Sequence, residues 1–268
     1  MPPALQVTRA FKQAITGGAF EALAAATGDA LQILAYTSGT RAWLLEAWGA
    51  DSAHAADFDV RSPDLHDNIR GIRFAYAVQP SAGKVQRFLP GVLRQQLYPT
   101  DTLICEVNGT AADNTGLNLL AYYENLPGSD ANLMSWAEID AASVDMVGIF
   151  VNPTAGAAGD WGATRALNAD DDRLIANTWY AILGATSQIP AECLAITAPE
   201  TSNRKVGMPL MTTEQDSGQF FVELSNRYQL PLIPVINSNN KAGINLQVAD
   251  AAGATVPHVT LLLMELNL

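Results

Sequence analysis

Apolar and polar positions exchange at a period of two through much of the chain. Phe58 and Val60 alternate with Asp57, Asp59 and Arg61. Ile72, Phe74, Tyr76 and Val78 alternate with Arg73, Ala75 and Ala77. Leu31, Ile33 and Ala35 form an earlier run, and Leu103, Cys105 and Val107 a later one. Leu117, Leu119, Ala121 and Tyr123 alternate with Asn118, Leu120, Tyr122 and Glu124. Successive side chains of a strand point to opposite faces, so each run predicts a strand. Short strands this closely spaced, broken by turns such as Ser81-Ala82-Gly83, predict an antiparallel sandwich or barrel.

The pattern changes in three places. At the start, Val7, Phe11, Ala14 and Ile15 recur at helical spacing before Gly17-Gly18. Residues 1–29 are therefore expected to form an arm with a short helix, packed on the domain behind it or swapped onto a neighbouring subunit. Pro127-Gly128-Ser129-Asp130 is a turn, and residues 134–142 are helix-compatible, which predicts a helical connector over 127–142. Residues 144–151 then form a continuous apolar run, the mark of a buried strand. Residues 170–184 fit either a helix begun by Asp170 or a strand over 178–183. Residues 194–196, 205–210 and 220–224 are short strand candidates. The last run, residues 259–266, is apolar on both faces and must be covered twice.

One arrangement occurs in both halves. A mixed segment (93–98; 224–230) leads to Pro99 or Pro231, then to a β run (103–107; 232–236), then to an Asn- and Gly-containing turn. Leu117-Asn118-Leu119 follows Gly116 in the first half, and Ile244-Asn245-Leu246 follows Gly243 in the second. This predicts two halves, 30–126 and 143–268, each long enough for an eight-stranded jelly roll. The simpler alternative is one large sandwich with coincidental turns.

Charge excludes more than it assigns. The formal net charge is −12 and the pI about 4.5, with no basic cluster, which argues against nucleic-acid binding and against attraction to an anionic membrane. No window approaches the roughly 20 apolar residues of a membrane helix, and the start lacks a secretory signal pattern. Cys105 and Cys193 sit in apolar runs and read as buried free thiols.

Candidate chemistry is sparse. His54, His66 and His258 are scattered and none has metal-ligand spacing. His66 lies among Asp64, Asp67 and Asn68, either a base with carboxylate neighbours or a polar loop. Asp170-Asp171-Asp172 fits a solvated helix start better than a cation loop. Glu46, Asp57 and Asp59 are acids of the kind glycosidases pair, but any acidic sandwich offers such pairs. Trp43, Trp48, Trp136, Trp161 and Trp179 are either a stacking platform for sugars or core and interface residues. No nucleotide, phosphate-loop or nucleophile-elbow motif is present, so no cofactor and no enzymatic activity are expected.

The layout of two β-rich halves, a helical connector, an N-terminal arm and a final two-faced apolar strand resembles the double jelly-roll major capsid proteins of icosahedral viruses, particularly bacterial and archaeal ones. The resemblance covers residues 30–268 and rests on that layout and on the Gly116–Leu119 and Gly243–Leu246 pair. It implies a mainly β subunit that forms trimeric, pseudo-hexagonal tiles with copies of itself and other shell proteins, in a virion assembled in the host cytoplasm. Phe11, Val259, Leu261, Leu263 and Leu266 are then the expected interface residues. Two other readings stay open. One is a carbohydrate- or receptor-binding sandwich such as a spike or adhesin. The other is a hydrolase using His66 and nearby acids.

Overall fold

The computed structural model describes residues 2–36, 41–51, 56–64, 71–76, 86–87, 94–157, 159–211, 217–251, 253 and 256–268. The fold is mainly β. The first half contributes β1 (Ala4–Lys12), β2 (Glu21–Ala22), β3 (Ala24–Ala25), β4 (Ala42–Asp51) and β5 (Ala56–Arg61). It continues with β6 (Ile72–Tyr76), β7 (Gln86–Arg87), β8 (Gln95–Leu97), β9 (Ile104–Asn108) and β10 (Thr115–Tyr123). After β11 (Leu133–Met134) and α1 (Trp136–Ala142) come β12 (Ser143–Val151), β13 (Arg165–Ala166), β14 (Trp179–Ser187), β15 (Ala191–Thr197) and β16 (Val206–Leu210). Helix α2 (Phe220–Tyr228) precedes β17 (Ile233–Asn237), β18 (Asn245–Ala249) and β19 (Val259–Leu266).

Among the described residues these strands form four sheets. In the first half they are ordered β3-β1-β10-β4-β7, with β8 also on β4, and β2-β9-β5-β6. In the second half the orders are β11-β17-β14-β19-β12 and β13-β18-β15-β16. Setting aside β3, β7 and β11, each half supplies eight strands. Numbered 1 to 8 along the chain, both sets give sheets 1-8-3-6 and 2-7-4-5. The antiparallel pairs 1·8, 2·7, 3·6 and 4·5 are those of one long hairpin, as in β1·β10, β2·β9, β4·β8 and β5·β6. The second half repeats them in β12·β19, β13·β18, β14·β17 and β15·β16.

The recurrence visible in the sequence is one strand out of step with this one. Residues 103–107 fall on the seventh strand of the first set, whereas 232–236 fall on the sixth of the second. The Gly116 segment opens an eighth strand, and the Gly243 segment opens a seventh. The two glycines also do different work. A Cβ on Gly116 would meet the buried Arg9 and Glu192 side chains, while one on Gly243 would touch nothing closer than 3.4 Å.

Several expected elements change type. Residues 4–12 are not an arm or helix: β1 pairs along its whole length with β10. The two faces of β1 enter different cores, Leu5 and Val7 one and Ala4 and Ala10 the other, and the buried Arg9 and Ala10 interrupt the alternation of Leu5, Val7 and Phe11 with Gln6, Thr8 and Lys12. Residues 220–228 are a helix, not a strand, because Phe220, Phe221 and Leu224 share one buried side. Residues 179–187 are a strand, and Ala30 to Tyr36 is irregular apart from the bridge Gln32–Thr102.

One core lies inside the first sandwich, around Phe58, Val60, Leu117 and Leu119. The other fills the second sandwich and extends across the seam to Leu5, Val7, Leu45 and Trp48 of the first. The seam is close. A Cβ on Gly207 would lie 2.4 Å from Val7 Cγ1, and the Val7 amide donates to the Lys205 carbonyl at 2.8 Å. Gly207→Ala is therefore expected to destabilise by about 1–3 kcal/mol through overpacking. Adding Val7→Ala should return part of the loss, read by chemical denaturation. An unchanged midpoint in Gly207→Ala would refute the close approach.

Candidate functional site

The seam is held by charges drawn from both halves. Arg9, on β1, forms an ion pair with Glu192, on β15, and neither side chain has exposed area. Arg9 Nε donates to the Gly159 carbonyl at 2.5 Å, and Nη1 donates to Asn118 Oδ1 at 2.9 Å. Asn118 Nδ2 passes the connection to the Trp48 carbonyl at 3.3 Å. The Trp48 indole N–H donates to the Glu192 carbonyl at 2.8 Å. Beside them Asp29 accepts from the Arg9 amide, from the Trp161 indole and from Lys205 Nζ, at 2.9, 2.9 and 2.7 Å. A second bridge runs from Glu46 on β4 to Arg87 and Arg227, while Arg87 also reaches Glu223 of α2. The Trp48 and Phe220 rings meet edge to face, 5.9 Å apart.

Burial pushes the Glu192 carboxyl up to about 7; Arg9 opposes that shift and Asp250 adds to it. The folded-state value thus lies above the ordinary 4.5, and the folded protein keeps this proton longer than the unfolded chain. The stability that Glu192 contributes is complete below about pH 4.5 and is lost as pH rises through about 7. Glu192→Gln is expected to flatten this part of the melting-temperature profile between pH 4.5 and 8. Profiles that stay parallel would remove Glu192 as the group responsible.

Apolar surface lies at the far edge of the second sandwich. Among the described residues strand β12 is the last of its sheet and pairs only with β19. Val144, Met146 and Phe150 are 61, 56 and 36% exposed. Met146 stands opposite Met264, and Gly148 opposite Leu262, so these side chains share one face. The half-buried Leu262 and Met264 extend the stripe. Phe150 stacks on His258 with ring centroids 6.1 Å apart. The outer edge of β12 is covered by acids: the Phe150 amide donates to Asp171 and the Asn152 amide to Asp170, at 3.3 and 2.9 Å.

These placements revise the residues read from sequence. Val259, Leu261 and Leu263 have no exposed area and Leu266 only 4%, so they fill the protein's own core and offer nothing to a neighbour. Exposed apolar side chains stand instead on β12, which the sequence marks as buried, and singly at Ile175, Ile189 and Leu268. Phe11 is half-buried, wedged against Gly159 at the seam. Asp170, Asp171 and Asp172 each pair with a different cation, Arg165, Arg173 and Lys241, and do not converge on one point. Cys105 and Cys193 are free and buried. His54, His66, Asp67 and Asn68 lie outside the described residues, so the His66 reading has no structural counterpart here. Trp48 and Trp161 are buried, whereas Trp43, Trp136 and Trp179 are half-buried. Sequence reading passed over Arg9 and Glu192. Their signal is a charge at the apolar phase of β1, Arg9 in line with Leu5, Val7 and Phe11, and one of opposite sign, Glu192, as the sole charge of β15.

No family model and no curated protein matches the chain. Among solved structures, the PBSX exported protein XepA is similar at 9% identity, covering 94% of this chain and 88% of its own, with a TM-score of 0.19. The STIV MCP is similar at 7% identity, covering 98% and 96%, with a TM-score of 0.18. Likenesses at these TM-scores establish no shared fold. Among the described residues no helix is long and apolar enough to cross a membrane.

Proposed function

We propose that the protein is a self-assembling structural subunit built of two tandem jelly rolls, running from β1 to β10 and from β12 to β19. The observation that carries this reading is the strand order 1-8-3-6 and 2-7-4-5 occurring twice in one chain. A subunit with two like sandwiches locked at a seam presents two similar flanks, and a ring of three presents six. The exposed stripe of Val144, Met146 and Phe150 supplies surface that gains by being covered. In its finer form the proposal is a viral major capsid subunit, forming trimeric tiles of a virion shell, with other shell proteins as partners and no reaction of its own. That form draws on the family resemblance of the layout.

Sedimentation velocity over a wide concentration range tests the proposal. The expected result is a mass of three subunits or more, rising with concentration. A monomer throughout would overturn it.

A further inference from the structure

A polar cleft of about 410 Å³ opens beside β14 and β17, within the range of small-molecule sites. Its lining includes Trp179, Asn132, Asp130, Glu200, Asn237 and Asn240. Trp179 and Asn237 are direct cross-strand partners, so their side chains leave the sheet on the same face. Glu200 sits in the short turn Pro199–Thr201, whose carbonyl at residue 200 accepts from the Asn132 amide at 2.8 Å. Glu200 is 6% exposed. Its Oε1 accepts from the Asn237 amide at 3.2 Å and from Asn240 Nδ2 at 2.6 Å. Its Oε2 is buried and has no partner among the described residues. A buried carboxylate oxygen left bare is costly, so this atom calls for a donor from outside the chain.

We propose that this cleft is a saccharide-binding site. The donors and acceptors suit neighbouring hydroxyls: the carboxylates of Glu200 and Asp130 accept, the latter through the oxygen not taken by Ser202, the Asn132 amide donates and accepts, and Asn237 Nδ2 donates while its Oδ1 is held by the Asn239 amide. The half-buried Trp179 ring offers an aromatic wall beside them, apolar enough to cover the C–H face of a pyranose. The described lining residues include two acids and no Lys or Arg, which disfavours phosphate and other anionic ligands. Asn132 is exposed, and no hydrogen bond of its side chain is found among the described residues, so it is available to a ligand without unfolding cost. The site does not depend on self-assembly and is equally open in a monomer.

The test is an oligosaccharide array probed with the full-length protein, followed by calorimetric titration of the best-bound glycan. The expected result is saturable binding, accompanied by a change in tryptophan fluorescence. Asn132→Ala should weaken binding at least 10-fold while melting stays unchanged, and Trp179→Phe should weaken it less than Trp179→Ala. An array with no hits would overturn the proposal. So would binding that is indifferent to Asn132 and Trp179, or a fluorescence change produced by calcium alone.

Discussion

Replacing Arg9 by methionine is expected to cost about 3–5 kcal/mol at pH 8, where Glu192 is ionised, because the change strands a buried carboxylate. In a chain of this size that is a fall in melting temperature of roughly 10 °C. The loss has several parts. Glu192 loses the cation that offsets its burial, and the Gly159 carbonyl and Asn118 Oδ1 lose their donor. Replacing both members, Arg9→Met with Glu192→Leu, should recover most of the stability, since apolar side chains in place of a buried pair are often neutral. Thermal unfolding of wild type, both singles and the double completes the cycle. A single variant that melts with wild type would show that the seam does not rest on this pair.

Met146→Asp, alone or with Phe150→Asp, has the second large effect, on association rather than folding. Met146 is more than half exposed in the isolated subunit, so Met146→Asp should change the fold by no more than about 0.5 kcal/mol, whereas Phe150→Asp also removes the stacking on His258. Between copies, the same carboxylates would be desolvated without partners, a cost of several kcal/mol per charge. At 1.4 kcal/mol per tenfold, association weakens at least 100-fold. Equilibrium sedimentation of the variant beside wild type reads this directly. Association that survives the charge would place the contact elsewhere.

The β class is legible in the sequence because β5 and β6 alternate the apolar Phe58, Val60, Ile72 and Phe74 with the charged Asp57, Asp59, Arg61 and Arg73, of which Asp57 and Arg73 stay exposed. The pattern fails on strands covered twice. In β1 the apolar Leu5, Val7 and Phe11 alternate with Gln6, Thr8 and Lys12, but the buried Arg9 stands on the apolar face and the buried Ala10 on the other, and these two break the period. Phe11 and Ile15, four apart, then supplied a false helical spacing. The opposite error occurred in β12 and β19. Both are rich in apolar residues, and composition alone cannot say which faces water. Pairing decides it: β19 is flanked by β14 and β12, whereas β12 is an edge. The Gly116 and Gly243 segments mark a recurrence in the sequence, yet what recurs in the structure is the order of strand pairing, which no local motif carries.

The saccharide cleft was half visible. Trp179 stands among the candidate platform tryptophans, but its companions come from three other segments, around residues 130, 200 and 237. Only the fold brings them together, through the β14–β17 pairing and the contact of Asn132 with the turn at Glu200.

Negative-stain microscopy of the purified protein decides whether it builds shells. Tiles, rings or closed shells are expected for wild type, and dispersed single particles for Met146→Asp under the same conditions. Wild-type fields holding only isolated subunits at high concentration would contradict this expectation.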